Sequence, residues 1–152
     1  MIAAALAAAC SQSTPVAPSR PAARAYVAPG SGGYTLNVVE ACPDVSISRV
    51  VVKCAEPDKS FDQLPTVWEA HADAPVRSAV LFADAAGLVA DAPATGVDHS
   101  RELVVWWDEG ADQEGSVSGR LSDLAPTDVL WAKGVEDQAQ FEQKQPEIAF
   151  GC

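Results

Sequence analysis

Short apolar runs separated by Pro, Gly and Asp fill the chain from Tyr34 to Cys152. Within them large and polar side chains alternate, as where Val67 and Glu69 fall on one face and Trp68 and Ala70 on the other. A period of two residues is typical of β-strands, and frequent turn residues are typical of sandwiches and barrels. The runs are YTLNVVEA, SISRVVVKC, PTVWEAHAD, RSAVLFA, RELVVWWD, GSVSGRL, TDVLWAK and PEIAFGC. They predict an all-β domain, with a loop or a short surface helix at VEDQAQFEQKQ.

The first 33 residues have a different composition. Prolines and the glycine-rich stretch GSGG dominate residues 11–33, which contain few large apolar side chains. Such a segment cannot bury enough surface to offset the entropy of ordering. We therefore expect a tether over residues 10–33 and a folded domain over 34–152. The two arginines of the tether, Arg20 and Arg24, suit an anionic lipid surface.

Residues Met1 to Ala9 are apolar and are followed at once by Cys10. An apolar run that ends in small residues is typical of an export signal, and the stretch LAAAC resembles the lipobox of bacterial lipoproteins. The resemblance implies that residues 1–9 are the remnant of a signal peptide and that Cys10 carries lipid on the outer face of the cell membrane. The alternative is a cytosolic protein with an alanine-rich end.

Charge narrows the range of partners. Lys and Arg total 10 against 21 Asp and Glu, which gives a formal net charge of −11. Nucleic-acid binding requires a basic surface, so it is not expected. The acidity leaves cationic partners or a divalent metal as the ligands that electrostatics favours.

The segment SVSGRLSDLAPTDVLWAKG resembles the E-strand, corner and F-strand of fibronectin type III domains. Leu124, Ala125 and Pro126 match the corner, and Val129 stands where that family has a tyrosine. The resemblance implies an antiparallel immunoglobulin-like sandwich of about seven to eight strands. The chain as a whole, rich in Ala and Asp and poor in Lys, also resembles the small secreted lipoproteins of high-GC Gram-positive bacteria, most of which have no assigned activity.

Four cysteines allow two outcomes. If Cys10 is lipidated, the other three form one bridge and leave one odd thiol; otherwise two bridges are possible. In sandwiches of the implied kind the first and last strands can lie side by side, and the runs ending at Cys42 and Cys152 are the first and last here. We therefore predict a Cys42–Cys152 bridge. Cys54 is too far from Cys42 if their runs form a tight hairpin.

Alternation along WEAHAD places Glu69, His71 and Asp73 on one strand face. Histidine and carboxylate ligands suit zinc or copper, so a divalent-metal or small-ligand carrier is one hypothesis. The alternative is an ordinary solvated face of an amphipathic strand.

The stretch WWDEGADQEG places two tryptophans beside an acidic loop. Neighbouring residues point to opposite faces of a regular strand, so one tryptophan is expected to be exposed unless a bulge turns both inward. An exposed indole offers a large flat surface to a partner or a carbohydrate. The predicted contact residues are Trp106, Trp107, Asp108, Asp112 and Glu114. The loop lacks the ladder of ligands of a calcium-binding loop.

Catalytic patterns are weak. Asp98, His99 and Ser100 are consecutive and cannot face one another as a triad does, and the chain contains no Gly-x-Ser-x-Gly elbow. The stretch GSGG lacks the strand-to-helix setting of a phosphate-binding loop. We therefore expect no enzyme and no cofactor, but a lipid-anchored binding or assembly module that contacts a protein partner or membrane complex at the cell envelope. The alternatives are the metal or ligand carrier and a secreted enzyme inhibitor.

Overall fold

The computed structural model describes residues 21–31, 33–83, 87–92, 94 and 97–152. The described part forms two antiparallel sheets of five strands each, in the orders β10-β9-β1-β2-β5 and β6-β4-β3-β7-β8. The predicted all-β sandwich is confirmed, with ten strands among the described residues where seven to eight were expected. They are β1 (Ala25–Gly30), β2 (Gly33–Val38), β3 (Ile47–Cys54), β4 (Thr66–Val76), β5 (Ser78–Val80), β6 (Leu88–Ala92), β7 (Leu103–Gly110), β8 (Gln113–Gly119), β9 (Asp128–Trp131) and β10 (Gly134–Asp137).

The core lies between the two sheets and is built from alternate residues of the strands. In the first sheet Val27 pairs with Leu36, and in the second Val52 pairs with Val105. All four side chains are fully buried. Because burial stabilises by roughly 25 cal/mol per Å² of apolar surface, a one-residue slip that turned these faces to water would be strongly unfavourable. The alternation therefore fixes the register.

The chain passes between the sheets at the corner that resembles a fibronectin type III domain. Strand β8 belongs to the second sheet and β9 to the first, and a short 3-10 turn at Leu121–Asp123 joins them. Leu121 is fully buried beneath this corner. The strand–corner–strand arrangement is compatible with an immunoglobulin-like sandwich in general.

A short helix, α1 (Gln138–Lys144), covers the outer face of the first sheet. The Asp137 side chain caps it by accepting hydrogen bonds from the backbone amides of Ala139 and Gln140. Phe141 is buried, with its ring centroid 5.1 Å from those of both Tyr26 and Trp131. Burial, and then the charges of Glu142 and Glu40, raise the pKa of the Tyr26 hydroxyl. The segment predicted as a loop or short surface helix therefore begins in strand β10 and is helical from Gln138, with Phe141 as its core residue.

The folded domain begins before Tyr34, so the predicted boundary is wrong. Strand β1 lies within the expected tether, yet it pairs with β2 on one side and with β9 on the other. Before β1 along the chain, the Ala22 amide donates to the Ala149 carbonyl at 2.9 Å. Ala25 and Val27 of β1 are small or β-branched and are fully buried in the core. Their burial stabilises the strand in spite of the proline and glycine residues around it. The predicted signal segment (1–9), Cys10 and tether residues up to Arg20 lie outside the described residues.

The predicted Cys42–Cys152 bridge is confirmed, with the two Cα atoms 5.4 Å apart. The reason differs from the one expected. The run that ends at Cys152 is not a strand, and β2 and β3 lie in different sheets, so the tight-hairpin picture is wrong. The Arg77 guanidinium instead shapes the loop around Cys42 by donating to the carbonyls of Cys42, Pro43 and Val45 at 2.7–3.0 Å. Cys54 is a free, buried thiol.

Candidate functional site around Trp106

Strand β7 separates its two adjacent tryptophans. It is regular at this point, because Trp106 pairs with Val51 and Ser116 while Trp107 pairs with Val50 and Gly115. Trp107 points into the core and is fully buried, whereas Trp106 lies half-buried on the outer face of the second sheet. The expectation that the pair point to opposite faces is confirmed, and the outward-facing Trp106 is half-buried rather than fully exposed. The inclusion of Trp107 among the contact residues is wrong.

Trp107 is tied into a buried polar network. Its indole Nε1 donates to Glu109 Oε1 at 3.0 Å, and Glu109 Oε2 accepts from Arg24 Nη1 at 2.6 Å. The side chains of Glu109 and Arg24 are only 4% and 17% exposed. Gly115 lies directly under the ring, since a Cβ there would come within 2.4 Å of the indole. Arg24, which we expected to face lipid, is therefore part of the folded domain.

Trp106 is held by residues from three neighbouring segments. Its Nε1 donates to Glu114 Oε2 at 3.2 Å on β8. The Arg49 guanidinium lies 5.9 Å from the centre of its ring, and the Phe61 ring lies 6.0 Å away at an angle of 37°. These contacts fix the orientation of the indole while leaving part of its surface open. Trp106 is thus a preoriented aromatic side chain with the charged Arg49 and Glu114 beside it.

One concavity, the outer-face groove, lies beside Trp106 across β4, β3 and β7 and has a volume of about 530 Å³. Its floor includes Lys53, which is 9% exposed because the connection between β3 and β4 folds over it. Lys53 Nζ donates to the Phe61 carbonyl at 2.9 Å and lies 4.3 Å from the centre of the Phe61 ring. The groove is also lined by Arg49, Val51, Asp62, Thr66, Glu69, Glu114 and Ser116.

A second concavity, the edge cleft, lies on the other side of Trp106, along the start of β8, and has a volume of about 500 Å³. One wall is formed by Glu114, Gly115 and Ser116 of β8. The opposite wall comes from the first and last described segments of the domain, including Arg24 and Phe150. No local sequence pattern predicts this cleft, because Arg24 and Glu114, on its two walls, are 90 residues apart along the chain.

Most of the predicted acidic loop belongs to strands β7 and β8, and a tight hairpin turn at Ala111 and Asp112 joins them. Ala111 and Asp112 both have positive φ, at 50° and 61°, and the Asp108 side chain accepts from the Gly110 amide at 2.8 Å. Such a turn is common between antiparallel strands. Of the predicted contact residues, Asp108 is therefore occupied within the turn, while Asp112 and Glu114 are exposed. Glu114 alone among these acids borders the concavities beside Trp106.

The structure does not assemble Glu69, His71 and Asp73 into a metal centre. Glu69 forms an ion pair with Arg49. His71 Nδ1 lies 2.8 Å from Asp91 Oδ1 on the neighbouring strand β6, and His71 Nε2 lies 3.6 Å from Asp73 Oδ1. The hydrogen bond to Asp91, followed by the charges of Asp91 and Asp73, raises the pKa of His71. Within the described part of the chain, no group of three His, Cys, Asp or Glu side chains is placed to hold a metal ion.

The DHS stretch forms a local turn. The backbone amide of Ser100 donates to Asp98 Oδ1 at 2.9 Å, and the Ser100 hydroxyl donates to the same oxygen. These two hydrogen bonds lower the pKa of Asp98. The His99 ring packs between Phe82 and Tyr34, with centroid distances of 5.4 and 5.0 Å. Ser100 is thus hydrogen-bonded to Asp98, and the His99 ring packs against two aromatic rings.

The chain was compared with known proteins at the levels of family, sequence and structure. No protein-family model, no curated protein and no solved structure matches it. No helix in the described ranges combines the length and hydropathy needed to cross a membrane. The geometry around Trp106 is therefore the basis on which a function can be inferred.

Proposed function

We propose that this protein is a non-catalytic binding or assembly module, held at the outer face of the cell membrane by lipid on Cys10, that contacts a partner through Trp106. The observation that carries the proposal is the position of Trp106. It lies half-buried on the outer face of the second sheet, between the outer-face groove and the edge cleft. Tryptophan is enriched among the residues that contribute most to protein–protein binding energy.

The surroundings of Trp106 favour binding without rearrangement. Its indole is oriented by Glu114, Arg49 and Phe61, so less side-chain entropy is lost when a partner binds. Both concavities are within the ordinary size of ligand-binding clefts, roughly 300–1,000 Å³. The nearby Arg and Glu side chains supply donors and acceptors that set orientation and specificity.

Replacing Trp106 with alanine is expected to reduce capture of the partner from detergent-solubilised envelope at least about tenfold. A tryptophan at the centre of an interface contributes about 2 kcal/mol or more to the binding free energy. Quantitative pull-down with the tagged chain, followed by mass spectrometry, measures this. The matched control is Val135→Ala, because Val135 is 46% exposed on β10 in the other sheet. Near-equal recovery with Trp106→Ala and Val135→Ala, both folded, would contradict the proposal.

The envelope location is tested by the mass of the native protein. We expect protein from the membrane fraction to begin at Cys10 and to carry acyl chains, and Cys10→Ser to appear unmodified in the soluble fraction. Disulfides persist in oxidising compartments, so the Cys42–Cys152 bridge supports this location. An unmodified chain that still carries Met1 and is found in the cytosol would contradict the lipid anchor.

A further inference from the structure

We propose that the partner of this module is an extended, basic peptide segment that adds a strand to the free edge of β8. The proposal rests on the proposed function and specifies the partner for the same surface. Strand addition at an exposed sheet edge is a recurring mode of peptide recognition, in which backbone hydrogen bonds give affinity and flanking pockets give specificity.

The first support is the position of β8 in its sheet. Strand β8 is the last in the order β6-β4-β3-β7-β8, and among the described residues β7 is the strand that pairs with it. It also packs against β9, β10 and β1 of the facing sheet. Outside the strand ladders, the backbone–backbone hydrogen bonds found among the described residues involve none of residues 113–119. Along the edge away from β7, β8 therefore presents donors and acceptors that no described strand pairs with, and an incoming strand can bond to them.

The second support is the composition of this edge. Proteins usually protect edge strands with lysine, proline, bulges or a covering element. The stretch from Gly115 to Gly119 reads GSVSG and contains neither a charge nor a proline. Packing accounts for its glycines, because a Cβ at Gly115 would meet Trp107 and one at Gly119 would meet Leu130. It does not account for the exposed Ser116 and Ser118, which leave the edge open to a neighbour.

The third support is the edge cleft, which runs beside the start of β8. Its opposite wall, with Arg24 and Phe150, leaves about 500 Å³ of space next to Gly115 and Ser116. A strand paired with β8 would place alternate side chains toward this cleft, because successive side chains point to opposite faces. Trp106 borders the same space and offers an aromatic surface to one of them.

Charge specifies the kind of peptide. The chain carries a formal net charge of −11. Within the cleft the charge of Glu109 is neutralised by Arg24. The carboxylate of Glu114, at the start of β8, is exposed and can face a basic side chain of the peptide. Opposite charges favour association and set register, so the peptide is expected to carry Lys or Arg beside Glu114.

The test is a random library of peptides of about twelve residues displayed on phage and selected against the full disulfide-bonded chain. Enriched peptides are expected to combine Lys or Arg with alternating β-branched residues. When a selected peptide is added to the ¹⁵N-labelled chain, amides within residues 115–119 should exchange with solvent at least about tenfold more slowly. Glu114→Gln should weaken binding several-fold, while Asp112→Asn, at an exposed acid of the adjacent turn, should not.

The outcomes separate this inference from the proposed function. Selected peptides that slow exchange around Lys53 and Phe61 but not in β8 would overturn strand addition and leave a binding module that uses the outer-face groove. A library with no enriched sequence would also overturn strand addition, and the effect of Trp106→Ala on partner capture would then decide the proposed function independently. Enrichment with protection of β8 that Glu114→Gln leaves unchanged would overturn the basic character of the peptide.

Discussion

Replacing Trp107 with alanine is expected to lower the free energy of unfolding by about 3–5 kcal/mol. The side chain is fully buried between the sheets, so its loss leaves a large cavity. The change also removes the hydrogen bond from the indole to Glu109, whose carboxylate is buried against Arg24. A buried charged group that loses a donor adds to the cost of the cavity.

Urea unfolding followed by circular dichroism measures this loss. The matched control is Trp106→Ala, the same substitution one residue away on the outer face of the same strand. Trp106→Ala is expected to lower the free energy of unfolding clearly less than Trp107→Ala does. Trp106 is half-buried, so its loss removes fewer contacts and water fills the space that it leaves. Equal destabilisation by the two variants would contradict the assignment of Trp107 to the core and Trp106 to the surface.

Removing the Cys42–Cys152 bridge through the double substitution Cys42→Ser and Cys152→Ser is expected to cost about 2–5 kcal/mol. The bridge joins residues 110 positions apart, and closing so long a loop restricts the unfolded chain strongly. It also joins the last described segment to the loop that Arg77 holds. We therefore expect both a lower unfolding midpoint and faster proteolysis near residue 152.

The control for the bridge is Cys54→Ser, because this thiol is buried on β3 but closes no loop. Unfolding of the oxidised and reduced forms of the unaltered chain gives the same comparison without a substitution. Peptide mapping under non-reducing conditions should find Cys42 joined to Cys152. A reduced chain as stable as the oxidised one would contradict the stabilising role of the bridge.

Local alternation was sufficient to predict an all-β sandwich or barrel and the divergence of the two tryptophans, and the resemblance at Leu124–Pro126 favoured the sandwich. Trp106 and Trp107 are neighbours on a regular strand, so the geometry of the strand alone sends them to opposite faces. Which of them is buried depends on Gly115, which makes room for the ring across the sheet, and that pairing is not visible in a single sequence. The sequence pattern therefore does not predict which of the two tryptophans faces the core.

Contacts between distant segments account for the errors. Arg24 was assigned to a tether because of the prolines around it, but its partner Glu109 lies 85 residues away. Likewise, the carboxylate nearest to His71 is Asp91 on β6, which was not among the predicted ligands, and Arg49 neutralises the predicted Glu69. The Cys42–Cys152 prediction was correct although its two segments do not form adjacent strands. Arg77 holds the loop around Cys42, and Arg24 holds the segment that ends at Cys152.

The meeting of the two ends constrains the order of events during synthesis. Ala22 is hydrogen-bonded to Ala149, and Arg24 donates to the carbonyls of Phe150 and Gly151. Strand β1, made early, also pairs with β9, made late. The sandwich is therefore completed only after residue 152 has left the ribosome. Until then the nascent chain lacks part of its native packing, and the Cys42–Cys152 bridge, which needs residue 152, is still open.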